Sequence, residues 1–248
     1  MITIFATFRP FNHAHFGLIQ RNAIGSWLKL NPKPQILVMG NEQGSKEICE
    51  EFQLTHVPDI AVSEYGTPMI DDMFKKAQEL TVNNLLLLTS CDIILFQDNL
   101  EIANVLLSDS NNFMATLRRS DAAITEPINF EEQNWEEKVK QNSTLGHPGA
   151  GDFFLFPKTF YSEGIPPFTI GRASVDNWLI YEAVRLGKCV DLTAATQIIH
   201  QNHDHSHVGG FHNLVNGEEF KINRKLGEGK MLEIINSNWI MTEDRKVK

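Results

Sequence analysis

NLLLLTSCDIILF, residues 84–96, is an apolar run that breaks at Ser90, Cys91 and Asp92 and then resumes. A continuous apolar run without polar alternation fits a strand buried on both faces, as in parallel sheets covered by helices. In such sheets ligands sit beyond the carboxyl ends of the strands, which is where Asp92 stands. A hard divalent cation often takes only one or two protein carboxylates and completes its shell with phosphate oxygens and water. Asp92 suits that role; the competing reading is a turn residue bonded to local amides.

Working outward, further short apolar runs at residues 2–8, 35–39 and 113–117 read as buried strands. Helix-compatible segments at 16–30, 45–52 and 68–80 lie between them, the last two with apolar residues at helical spacing. This β-α alternation predicts an α/β fold, Rossmann-like, with a mainly parallel central sheet. The second half is less regular. A polar, acidic stretch at 121–143 reads as a surface helix or loop around Trp135, and further strands are expected at 152–156, 190–193 and 197–200. Asp176 reads as the cap of a helix over 177–186. Residues 208–248 are expected to form a C-terminal extension, either a lid or a packed helix around 231–239. With no linker or repeat, the 248 residues are read as one domain.

Composition narrows the function. A net charge of −9 argues against a nucleic-acid binder, which would gather Lys and Arg on a basic face. Three widely spaced cysteines, Cys49, Cys91 and Cys189, without a CxxC pair fit a reducing compartment, and the cytoplasm is the expected location. The N-terminal MITIFATFRPF lacks a basic region and a cleavage site, and no apolar stretch is long enough for a transmembrane helix.

Three other segments carry chemistry. HQNHDHSH places His200, His203, His205 and His207 within eight residues, a density that suggests a site for Mn, Zn or Fe, with solvated loop histidines as the plain alternative. In FTIGRASVDNWLIYEAV, Gly171 permits a tight turn, Arg172 could pair with a phosphate or carboxylate, and Asp176 is either a helix cap or a general base. In GHPGAGDFFLF, Gly149 and Gly151 allow close approach to a ligand and Asp152 could reach a sugar hydroxyl. This loop leads into a strand rather than a helix, so it is neither a P-loop nor a dinucleotide fingerprint.

Taken together, TFRPF, QRNAIGSW, MGNEQG, EYGTPMIDDMF, SCDIIL, GAGDFFLFP, IGRASVDNWL and HQNHDHSH occur in an order that resembles GT-A glycosyltransferases. The closer resemblance is to a nucleotide-diphospho-sugar transferase-like group that ends in an HQNHDYSH-like motif, and it covers residues 2–207. It implies that Thr7, Arg9, Gly40, Asn41 and Glu42 cradle base and ribose, with Asp71 and Asp72 as ribose or acceptor contacts. The family's DxD-type motif corresponds to Ser90, Cys91 and Asp92; Ser90 replaces the first acid, so Asp92 carries the metal. His203, then His207, would complete a Mn2+ or Mg2+ site. Gly151, Asp152, Arg172 and Asn177 would face the donor or acceptor sugar, and Asp176 matches the general base of inverting enzymes.

The implied partners are a nucleoside diphosphate sugar, UDP-sugar first, and a glycan or small-molecule acceptor. Two rivals are a metal-dependent hydrolase built on the histidine cluster, compared with the HxHxDH signature, and a GT-A-like domain that binds nucleotide without turnover.

Overall fold

Strand β1 (Ile2–Thr7) pairs in parallel with β2 (Gln35–Met39) on one side and with β4 (Leu85–Thr89) on the other. In the computed structural model, which describes residues 1–204 and 211–248, every residue of β4 is buried. The period of two along these strands sorts their side chains into two cores. Ile2, Ile4, Leu85 and Leu87 join the core under α1 (Ala14–Lys29) and α4 (Gln97–Asp109), with Trp27 and Ile24. Phe5, Leu86 and Leu88 join the opposite core, under α3 (Ile70–Leu80) and α6 (Val175–Arg185). There Phe5 meets Phe74 edge-on at 5.2 Å and Phe74 stacks on Phe156. Burying one such aromatic side chain contributes roughly 2–3 kcal/mol.

The central sheet has eight strands in the order β12-β10-β6-β9-β4-β1-β2-β3, where β3 is Thr55–Val57, β6 Met114–Thr116, β9 Phe153–Pro157, β10 Cys189–Asp191 and β12 Trp239–Ile240. Only β9 runs against its neighbours, so the sheet is mainly parallel, as expected. The helix α2 (Ser45–Phe52) connects β2 to β3.

A second, four-stranded sheet was not expected. It is ordered β5-β11-β7-β8, with β5 Ile93–Ile94, β7 Ser120–Ala122, β8 Thr144–Leu145 and β11 Ile199–Gln201. Its first strand follows β4 directly after the Ser90–Asp92 turn, so it stands at the carboxyl end of the main sheet. The stretch 121–143 is therefore more than surface. It opens inside β7 and ends in α5 (Trp135–Gln141), where Trp135 stacks on buried Phe96 at 5.7 Å.

Two local readings are corrected. The cap of α6 is Ser174, in the left-handed region at φ +91°, and Asp176 lies in the helix's first turn. Around residues 231–239 the chain forms one 3-10 turn (Ile234–Asn236) and the edge strand β12 rather than a helix. The helices of this part are α7 (Phe211–Asn216) and α8 (Glu218–Leu226). Asn223 of α8 is fully buried and clasps the backbone of Thr169 by donating to its carbonyl and accepting from its amide. Among the described residues no helix is long and apolar enough to cross a membrane.

Candidate active site

Because β1 and β4 are parallel neighbours, the residues that follow them come together. Arg9 Nη1 lies 3.1 Å from Asp92 Oδ2, and Asp92 is 1% exposed. Each backbone here is pinned from behind. The amide and carbonyl of Arg9 are both bound by the side chain of Gln20. The carbonyl of Asp92 accepts from the backbone and side-chain amides of Gln201 in β11, and Gln201 Oε1 accepts from Asn22. All three polar side chains are buried and paired, a satisfied network that fixes one arrangement.

Through β11 the histidines reach Asp92. His203 Nε2 is 3.1 Å and His200 Nε2 4.0 Å from Asp92 Oδ2, and the three possible ligand atoms lie within 4.8 Å of one another. Phe16 backs the cluster, with its ring against both Arg9 and His203. Burial pushes the Asp92 carboxyl up, but His200, His203 and Arg9 outweigh it and hold the acid well below the usual carboxylate range. Its other oxygen, Oδ1, is buried with no hydrogen-bond partner. An ionised buried oxygen without a donor is costly, and a cation would satisfy it. One carboxylate with two imidazoles is a donor set for Mn2+, Fe2+ or Zn2+ before Mg2+, so the residues fit a borderline divalent ion. Burial pushes the Cys91 thiol up to about 12.

From Asp92 the charges extend in a chain. Asp121 Oδ1 accepts from His200 Nδ1 at 2.9 Å and from Arg119 Nε at 3.0 Å. Arg119 also pairs with Asp152, and Asp152 accepts from Ser90 Oγ. One residue before Asp152, the amide of Gly151 donates to Asp176 Oδ2 at 3.3 Å. A Cβ on residue 151 would stand 2.7 Å from Phe154 and 3.2 Å from the Asp176 Cβ, so glycine is needed for this approach. Among the described residues Asp176 has no ion-pair partner. Burial, with Asp152 nearby, pushes its carboxyl up to about 6 against the pull of the Gly151 and Asn177 amides. The site thus holds one acid fixed as an anion and another poised to take a proton near neutral pH.

The contacts bring Arg9, Ser90, Asp92, Gly151, Asp152, Asp176 and His203 into one network, with Cys91 in its turn. Thr7 ends β1, partly buried. Gly40, at φ +94°, follows β2, and its carbonyl accepts from His56 Nε2; Asn41 beside it is exposed and Glu42 partly buried. Asp71 Oδ1 is a second buried oxygen without a partner, whereas Asp72 accepts from the Ala61 amide. The Arg172 side chain is bound to buried Glu219 of α8 at 2.7 Å, and the Asn177 side chain donates to the Leu232 carbonyl. Among the described residues neither side chain hydrogen-bonds the side chains of Asp92, Asp152 or Asp176. His207, like His205, lies outside the described residues.

The histidine cluster was legible, but the resemblance singled out His203 and His207 in it rather than His200, and it did not reach Arg119 and Asp121 behind His200. A signal for His200 was present, since strand alternation that sends Ile199 into the core turns His200 to the opposite face. Arg119 immediately precedes β7 and Asp121 lies in it, where it opens the stretch 121–143 that reads as a surface helix or loop.

No protein-family profile matches the chain, and no curated protein matches it by sequence. Solved structures do match. S. aureus TarS 1-349 in complex with UDP-GlcNAc superposes with a TM-score of 0.61 over 92% of this chain and 66% of that one, at 10% identity. GalNAc-T7 with UDP, GalNAc and Mn2+ gives 0.60 over 92% and 48%, at 14% identity. M. tuberculosis glucosyl-3-phosphoglycerate synthase gives 0.56 over 93% and 80%, at 11% identity. The chain thus spans about two thirds of the TarS fragment and about half of GalNAc-T7. What these proteins share with it, at such low identity, is architecture: the chain has the GT-A glycosyltransferase fold.

Proposed function

We propose that this chain is a metal-assisted glycosyltransferase that moves a sugar from a nucleoside diphosphate sugar, UDP-sugar first, to a hydroxyl of a glycan or small-molecule acceptor. The observation that carries the reading is the Asp92, His200 and His203 group with its orphaned oxygen, beside Arg9 at the carboxyl ends of β1 and β4. The structures of TarS with UDP-GlcNAc and of GalNAc-T7 with UDP and Mn2+ support it by likeness of fold. A divalent ion bound by these three residues, Mn2+ before Mg2+, would neutralise charge on the departing diphosphate.

The protein's own residues do the rest. Arg9 supplies a fixed positive charge for the diphosphate. Thr7, Gly40, Asn41 and Glu42 line the strand ends for base and ribose, and the orphaned oxygen of Asp71 is an acceptor for a ribose hydroxyl. Gly151 and Asp152 flank the sugar. Arg172 and Asn177, committed to Glu219 and Leu232, support the walls instead of touching the sugar. Asp176 takes the acceptor hydroxyl's proton as that oxygen bonds to the anomeric carbon. The bond from this carbon to the diphosphate oxygen breaks, and the nucleoside diphosphate leaves with the electron pair. Attack opposite the leaving group inverts the anomeric centre.

The test is nucleoside diphosphate release from a panel of UDP- and GDP-sugars, with Mn2+ or chelator. The reading predicts release from at least one donor that requires the ion. Metal-dependent nucleotide binding without release from any donor, with glycan acceptors present, would instead favour a binding domain without turnover.

A further inference from the structure

The geometry assigns Asp121 as a positioning residue that turns His200 toward the metal through its Nδ1–H, with Arg119 holding the Asp121 carboxylate in place. This inference rests on the proposed metal site and concerns which residues build it.

The register of the small sheet sets the line. His200 pairs with Ile93 on one side, next to Asp92, and with Asp121 on the other. Asp121 Oδ1 stands 2.9 Å from His200 Nδ1. A carboxylate only accepts, so Nδ1 must carry the hydrogen and donate. The other nitrogen, Nε2, faces Asp92 Oδ2 at 4.0 Å, too far for a hydrogen bond and close enough to share an ion with it. An imidazole held this way by a carboxylate has a fixed ring plane, a fixed tautomer and a more basic ligand nitrogen.

Asp121 is itself built in. Arg119 Nε donates to the same oxygen that receives His200, while its Nη1 pairs with Asp152. On the other side, a Cβ on residue 146 would stand 2.9 Å from Asp121 Oδ2 and 3.1 Å from the Arg119 carbonyl. Glycine at 146 therefore lets β8 close on Asp121. The Gly146 carbonyl is gripped by Nε and Nη2 of Arg118, which keeps that strand in place. An ion pair serving the fold alone would not need its carboxylate aimed at a ring nitrogen whose partner nitrogen faces Asp92.

The experiment is Mn2+ titration, by electron paramagnetic resonance, of the metal-stripped full chain and of Asp121→Asn, with Asp92→Ala as the null for the site. Asp121→Asn should bind Mn2+ about 10–100-fold more weakly than wild type while its circular dichroism is unchanged. Equal affinity in wild type and Asp121→Asn, with binding lost in Asp92→Ala, would overturn the inference and leave the metal site standing. No Mn2+ binding by wild type would overturn the metal site itself, and this inference with it. Should Asp121→Asn fail to fold, long-range nitrogen NMR of the histidines in wild type decides alone. A His200 ring protonated at Nδ1 and bare at Nε2 when metal-free supports the assignment, and the opposite tautomer overturns it.

Discussion

Asp92 and Asp176 are two acids of one network, joined through His200, Asp121, Arg119, Asp152 and Gly151, with opposite surroundings. Asp92 is closed in by Arg9, His200 and His203 and is held as an anion despite burial. Among the described residues Asp176 is met by amides and by Asp152, and desolvation lifts it to about 6 although it is only partly buried. In the proposed function, what separates the ligand from the base is the company each carboxylate keeps: positive neighbours fix charge, and a carboxylate without them can exchange a proton at working pH.

The largest expected effect comes from removing the anion. Asp92→Ala leaves Arg9 and two imidazoles without their carboxylate, so Mn2+ binding and transfer should both fall below detection; titration and donor turnover check this. Next is Asp176→Asn. Its amide oxygen can still accept from Gly151, so donor and Mn2+ binding should stay within a few-fold while turnover drops by about 10²–10⁴. A variant that loses binding as well would make Asp176 part of the donor pocket.

pH separates the two acids further. Transfer should rise about tenfold per unit up to about pH 6 and level off above, as Asp176 gives up its proton. Stability should run the other way. The folded state keeps the Asp176 proton that the unfolded chain loses near pH 4, so this acid's contribution falls as pH rises to about 6 and is flat beyond. Asp176→Asn should erase that slope and stabilise the protein at pH 8 by roughly 1–3 kcal/mol in urea unfolding. The smallest effect is local to the helix start. Ser174 holds a left-handed backbone with a buried, unpartnered hydroxyl, so Ser174→Gly should raise stability by about 0.5–1 kcal/mol. No gain would mean that the turn before Asp176 is unstrained.

The two acids were also unequally legible from sequence. Asp92 interrupts an apolar strand, a local contrast visible in one line, and the β-α alternation around it is local too. Asp176 was visible as a helix start, but not its true cap, because a left-handed serine leaves no compositional mark. The charges behind the proposed metal site were hidden for a different reason. β7 and β8 are two or three residues long, and Asp121 meets His200 across 79 residues, so only tertiary register joins them. Helix α8 escaped because its inward residues are polar: Glu219 and Asn223, one turn apart, are its buried positions. A search for apolar periodicity cannot find such a face.

The central claim is the division of labour between the two acids, and one measurement bears on it most directly: the thermal midpoint of wild type, Asp92→Ala and Asp176→Asn with UDP, in Mn2+ and in chelator. Ligand that binds only the folded protein raises the midpoint by mass action. A Mn2+-dependent rise in wild type and Asp176→Asn that vanishes in Asp92→Ala is the predicted result. An equal rise in Asp92→Ala, or its loss in Asp176→Asn, would contradict the account.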